Sequence, residues 1–145
     1  MPGQIQNEED GVLESQIEAN LYSAYHLTKA ILPDMQKCNS GHIFTICSTA
    51  SITAYTAGGS YCISKFALLG FTKVLREELK TQGIKVTAVL PGATLTPAWD
   101  GVNLPDSRFI PAEDVANTLF AASQMSASTV IEEILIRPQL GDIEL

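Results

Sequence analysis

The chain has 145 residues, one domain's worth, of which 46% are hydrophobic and 17% charged; this balance excludes a disordered, fibrous or low-complexity class. Its formal net charge of −7, with no Lys/Arg cluster to reverse it locally, argues against nucleic acid as a partner. Apolar runs such as Val86-Thr87-Ala88-Val89-Leu90 are far too short to span a bilayer, and Met1-Pro2-Gly3-Gln4 opens no basic-then-apolar signal segment. A soluble, cytoplasmic protein without a membrane partner is therefore expected.

In chain order, Glu8, Glu9 and Asp10 place negative charge where a helix start favours it, and Leu13, Ile17, Leu21, Ala24, Leu27, Ile31 and Met35 follow at helical spacing. The spacing predicts a long helix over about 9–38, with a bend or restart at Pro33, which removes a backbone donor and crowds the carbonyl of Lys29. His42 to Cys47 reads as a strand that leads into a loop, Ser48 to Gly58. Helical spacing returns from Ser60 to Thr81, and Gln82-Gly83 stops it. Ile84 to Leu90 forms a second strand, ended by Pro91-Gly92. A Pro- and Gly-containing loop then runs to Ile110, holds the only Trp, Trp99, and is expected to be mobile. Pro111-Ala112-Glu113-Asp114 opens a third helix, and Val130 to Ile136 forms a third strand.

Helices alternating with strands call for an α/β domain with a parallel sheet and right-handed crossovers. Such sheets bind ligands beyond the carboxyl ends of their strands, here Cys47-Ser48, Leu90-Pro91-Gly92 and Ile136-Arg137. Cys38, Cys47 and Cys62 lack CxxC spacing and read as buried or inert thiols, while His26 and His42 have no ligand-spaced neighbours, so no metal site is expected.

Tyr61 and Lys65 are four apart at the start of the second long helix and so share one face. A nearby ammonium favours the phenolate and moves a tyrosine, ordinarily near pKa 10, toward the working range of an acid/base group. Ser48, thirteen residues before Tyr61 at a strand's carboxyl end, places a hydroxyl where it can bond a substrate oxygen. Each feature by itself is also compatible with an exposed helical turn and an ordinary loop serine.

Taken together, Ser48, the YxxSK run Tyr61-Cys62-Ile63-Ser64-Lys65 and the PGxxxT run Pro91-Gly92-Ala93-Thr94-Leu95-Thr96 resemble the short-chain dehydrogenases/reductases. Asn20, 28 residues before Ser48, falls where that family carries a fourth catalytic residue, and the resemblance runs from about Gly11 to Asp142. It implies a three-layer Rossmann-like fold and an NAD(P)-dependent oxidoreductase that reduces a carbonyl or oxidises a secondary alcohol. Tyr61 would exchange the proton, Ser48 would hold the oxygen, Lys65 would lower the pKa of Tyr61 and bond the nicotinamide ribose, and Asn20 would position a relay water. Pro91, Gly92, Thr94 and Thr96 would join Tyr61 and Lys65 in contacting the cofactor, with NADP preferred over NAD by family habit. Residues 93–110 resemble the family's substrate lid, and Trp99, Val102, Leu104 and Phe109 suggest a partly hydrophobic small-molecule substrate.

The sequence departs from the family at its start. The glycine-rich TGxxxGxG turn and the NNAG motif are not in these residues; three βα units of about 30 residues each, roughly 90 in all, would hold them. The expectation is therefore a partial domain over 1–145, with an exposed edge along Ile43 to Cys47 and a homo-oligomer formed through the two long helices. The alternatives are an inactive, truncated remnant that acts only as an oligomerisation partner, and an unrelated α/β binding module in which the motif matches are coincidental.

Overall fold

The structure, a computed structural model, describes residues 3–143; Met1, Pro2, Glu144 and Leu145, the ends of the predicted 1–145 domain, lie outside it. Three parallel strands, β1 (Gly41–Ile46), β2 (Ile84–Pro91) and β3 (Glu133–Ile136), form one open sheet in the order β1-β2-β3. Gly41 pairs with Ile84 and Ile46 with Val89, while Ala88 pairs with Glu133 and Pro91 with Ile136. Helices α1 (Val12–Ile17), α2 (Ser23–Cys38), α3 (Gly59–Leu79) and α4 (Ala112–Ser123) connect and cover the strands.

The central strand β2 is buried on both faces, which explains its nearly continuous apolar run. On one face Ile84 and Val86 pack with Ile43, Leu75 and Leu79, backed by Leu32 and Met35 of α2. Further along, Ala88 and Leu90 pack with Cys47, Leu68 and Leu69. On the other face Val89 meets Ile134 and Ala122, supported by Val115 and Leu119 of α4. The result is three layers, with α2 and α3 on one side and α4 on the other. As the sequence led us to expect, β1 is an edge strand, and Ile46 at its carboxyl end is half exposed. Among the described residues, no helix is long and apolar enough to cross a membrane.

Several local expectations are corrected. The first long helix begins at Val12 rather than about residue 9 and runs to Cys38, with a π-helical turn over Glu18–Tyr22 between α1 and α2. Pro33 does not restart the helix, which runs through it to Cys38 and ends at the left-handed Asn39. Apolar periodicity could not locate that turn, because one extra residue in a helical turn leaves the pattern readable on both sides. Glu8 stands before α1 and bonds to the start of α3 instead of capping the first helix. The third strand begins at Glu133 and not Val130; Thr87 Oγ1 donates to the Ile131 carbonyl at 2.6 Å and holds the preceding segment outside the ladder. Cys38 is exposed, whereas Cys47 and Cys62 are buried thiols. The loop after β2 is closed at its base by Leu95 N–H to Ile110 O and Ile110 N–H to Ala93 O, both 2.9 Å.

Candidate active site

The four residues singled out as catalytic come from three separated stretches and gather at the carboxyl end of β1. Ser48, two residues past the strand, has extended backbone and opens a short turn, Thr49–Ser51. Its hydroxyl accepts from the Ala50 N–H at 3.1 Å, and its own N–H donates to Ser51 Oγ at 3.2 Å. That reciprocal cap fixes the buried side chain while leaving the Ser48 O–H available as a donor.

Tyr61 and Lys65 lie one turn apart near the start of α3. Lys65 Nζ stands 5.8 Å from the Tyr61 ring centroid and donates to the carbonyl of Ile46, the last residue of β1, at 3.0 Å. Helix α3 is thereby tied to the strand whose end carries Ser48. Burial pushes the Tyr61 phenol above its ordinary value of 10, with the nearby Ser48 hydroxyl acting in the opposite direction. Burial likewise pulls the Lys65 ammonium below its ordinary 10.5 against a smaller opposing effect of Cys47. The expected lowering of Tyr61 by Lys65 is not found: desolvation raises the phenol, and the Ser48 hydroxyl, not Lys65, is the group that opposes it.

Asn20 sits in the π-helical turn, and its Nδ2 donates to Ser64 Oγ at 3.0 Å and to Gln16 Oε1 at 3.2 Å. Ser64, fully buried, donates its own hydroxyl hydrogen bond to the Tyr61 carbonyl at 2.8 Å. The π-helical turn places Asn20 against α3, and the Ser23 hydroxyl donates back to the Ala19 carbonyl beside it. Asn20 and Lys65 both line a groove of about 380 Å³ along the edge of β1.

The loop after β2 reaches the same end of the sheet. The Gly92 N–H donates to the Ile136 carbonyl at 2.8 Å. A Cβ on Gly92 would lie 3.1 Å from Pro138 Cδ and 3.6 Å from Thr49 Cγ2, so the three strand ends approach closely there. Thr94 Oγ1 donates to the Gly92 carbonyl at 3.1 Å, while Thr96 is exposed and accepts through its carbonyl from the Trp99 N–H at 3.0 Å. Pro91, Gly92 and Thr94 are thus brought to the site, and Thr96 stands on the surface of the loop.

Sequence reasoning missed a second network at this end. The Tyr55 hydroxyl donates to Asp142 Oδ2 at 2.7 Å and lies 3.0 Å from Thr49 Oγ1, and Arg137 pairs with the same carboxylate. Arg108 of the loop after β2 donates to the Asp142 carbonyl at 3.4 Å. These partners are up to 87 residues apart, and no local pattern announces them.

The family model for short chain dehydrogenases matches residues 1–106. The chain belongs to the short chain dehydrogenase family. Among curated relatives, it is 35% identical over 129 residues to a sepiapterin reductase of Chlorobaculum tepidum, covering 88% of this chain and 53% of that protein. It is 32% identical over 144 aligned residues to estradiol 17-beta-dehydrogenase 11 of Macaca fascicularis, covering 88% and 47%. The chain therefore spans about half the length of the curated relatives it matches. Among solved structures, a metagenomic short-chain oxidoreductase in complex with NADP superposes with a TM-score of 0.75 at 27% identity, over 94% of this chain and 56% of that one. Serine dehydrogenase from Escherichia coli gives a TM-score of 0.77 at 27% identity, over 92% and 56%. The sheet described above is accordingly part of the short chain dehydrogenase fold.

Proposed function

We propose that this chain carries the acid/base machinery of an NAD(P)-dependent oxidoreductase that interconverts a carbonyl and a secondary alcohol. The observation that carries this reading is the half-buried pair at the carboxyl end of β1: the Lys65 ammonium 5.8 Å from the Tyr61 ring, beside the fixed hydroxyl of Ser48. The relatives named as reductases and dehydrogenases, one of them in complex with NADP, support it.

The residues present fit the nicotinamide-ribose end of such a cofactor. Lys65 spends one of its three N–H groups on Ile46 and has two left for ribose hydroxyls. Gly92, without a Cβ, keeps the Pro91–Ala93 backbone close to the end of β1. Tyr61, Lys65, Pro91, Gly92, Thr94 and Thr96 would hold that end, with NADP preferred over NAD. When bound, the nicotinamide supplies or accepts the hydride. The protein's part is protonic: the Tyr61 O–H gives its proton to the carbonyl oxygen in reduction and recovers it in oxidation. Ser48 donates a hydrogen bond to that same oxygen and polarises it. Lys65 holds its positive charge beside the phenol and opposes the effect of burial as the proton leaves. Asn20, its amide nitrogen committed to Ser64 and Gln16, keeps Oδ1 for a water that relays the proton to Lys65 along their common groove.

The lid over 93–110 closes on this end. Trp99 and Phe109, with ring centroids 5.2 Å apart, give it an apolar inner wall suited to a partly hydrophobic substrate. Exposed apolar side chains on α2 and α3, among them Leu27, Ile31, Phe66 and Val74, support a homo-oligomer joined through those helices. A compact monomer in sedimentation would overturn that assembly.

Calorimetric titration of the chain with NADPH and NADH tests the cofactor reading. Saturable binding that Lys65→Ala abolishes and Tyr61→Phe retains, with turnover lost in Tyr61→Phe, is the expected result. The absence of any binding would favour the second reading, that of an inactive partner of a longer relative.

A further inference from the structure

Helix α3 carries Tyr61 and Lys65 in its first two turns, yet its own sequence provides no cap. Gly58 precedes it without a side-chain hydrogen bond, and its first turn contains no acidic residue. The leading N–H groups of a helix need acceptors from somewhere. Glu8, 52 residues earlier in the chain, provides one: its Oε1 accepts from the Ser60 N–H at 2.9 Å, and its Oε2 accepts from the Ser60 hydroxyl. Ser60 is buried and is the residue immediately before Tyr61.

Gly59 makes room for this contact. Its φ of +37° lies in the left-handed region, and a Cβ there would collide with Glu8 Oε1 and the Gly3 carbonyl oxygen. A glycine at the helix start and a carboxylate from a distant segment thus fit one another, and the negative charge meets the positive end of the α3 dipole. The same contact lays Gln4, Ile5 and Gln6 along α3, where with Tyr55, Cys62 and Phe66 they border an apolar groove of about 620 Å³.

We propose that Glu8 is a positioning residue for the Tyr61–Lys65 pair: by capping α3 from outside the helix it fixes the first turn, and with it the approach of the Tyr61 phenol to a substrate oxygen. The proposal rests on the reading of Tyr61 as the acid/base group. Glu8→Gln retains an acceptor for the Ser60 N–H, whereas Glu8→Ala removes it.

Amide hydrogen exchange and the titration of the Tyr61 phenol, followed by NMR on ring-labelled protein with Tyr61→Phe to assign the resonance, read the effect without any cofactor. In Glu8→Ala, the amides of Ser60, Tyr61 and Cys62 should exchange faster while those of Val86 to Leu90 stay protected. The Tyr61 midpoint should fall toward that of a solvated tyrosine as burial is relaxed. Glu8→Gln should restore both. Unchanged exchange and midpoint in Glu8→Ala, or a Glu8→Gln protein as loose as Glu8→Ala, overturns the inference. Should Glu8→Ala fail to fold, Ser60→Ala removes only the hydroxyl half of the contact and should give a smaller loosening of the same three amides; no loosening overturns the inference. Retention of turnover by Tyr61→Phe would instead overturn the reading of Tyr61, leaving the exchange result to decide whether Glu8 caps the helix.

Discussion

The Asn20 side-chain amide donates to the Ser64 hydroxyl across 3.0 Å and so joins the π-helical turn to the helix that carries Tyr61 and Lys65. Because Ser64 then donates to the Tyr61 carbonyl, the two side chains act as one unit. Asn20→Ala and Ser64→Ala should each cost about 1 kcal/mol, a typical net hydrogen-bond contribution. The double variant should cost less than the sum, and a denaturation-based double-mutant cycle measures the difference. Simple additivity would show that the contact is not made in solution.

His42 makes stability depend on pH. Its Nε2 lies 2.7 Å from Thr87 Oγ1, and Thr87 already spends its proton on the Ile131 carbonyl, so Nε2 is the donor of a neutral imidazole. Burial first, and the Lys85 charge second, hold its pKa below the ordinary 6.5. A lowered folded-state pKa contributes stability that is complete above 6.5 and is lost as pH falls through the folded value. Urea midpoints should drop on acidification below that range, and His42→Gln should flatten the dependence there.

Gly92→Ala tests the close approach of the strand ends. The new Cβ would lie 3.1 Å from Pro138 Cδ and 3.5 Å from the Ile136 carbonyl oxygen; relieving that crowding costs roughly 1–3 kcal/mol in a packed site. The variant should melt earlier, and its nucleotide affinity should fall further than the stability loss alone explains, since the backbone at Pro91–Ala93 is displaced. Equal melting temperatures would show that the loop yields freely.

Asp142→Ala removes the carboxylate that Tyr55 and Arg137 share. Burial opposes ionisation of Asp142, but the bonds from Arg137 and Tyr55 outweigh it and leave its pKa below the ordinary 3.8. The contact therefore stabilises the fold above that value and fades as pH falls through the lowered one. About 1 kcal/mol should be lost at neutral pH. Trp99, the only Trp, reports on the loop held at Arg108, and its emission should shift if the tail releases that loop.

Much of the fold was legible because hydrophobic period is a local property. The run from Ile84 to Leu90, apolar except at Lys85 and Thr87, reads as a strand, and the structure shows β2 buried on both faces. The candidate set was legible through joint spacing, and Asn20, Ser48, Tyr61 and Lys65 do converge at the end of β1. The π-helical turn was not legible, and the bond its Asn20 makes joins it to a serine 44 residues away, which no local pattern announces.

The sequence alone determined the element order, the parallel sheet and which side chains are candidates for the chemistry, because helical and strand periods and motif spacings are written in neighbouring residues. Only the tertiary structure decided how those side chains are held: Glu8 at the start of α3, Lys65 on the Ile46 carbonyl, and Asp142 between Tyr55 and Arg137. It also decided that burial raises the Tyr61 pKa. Hydrogen bonds between distant segments and the desolvation of a phenol depend on what packing brings together, and a local pattern in the chain contains neither.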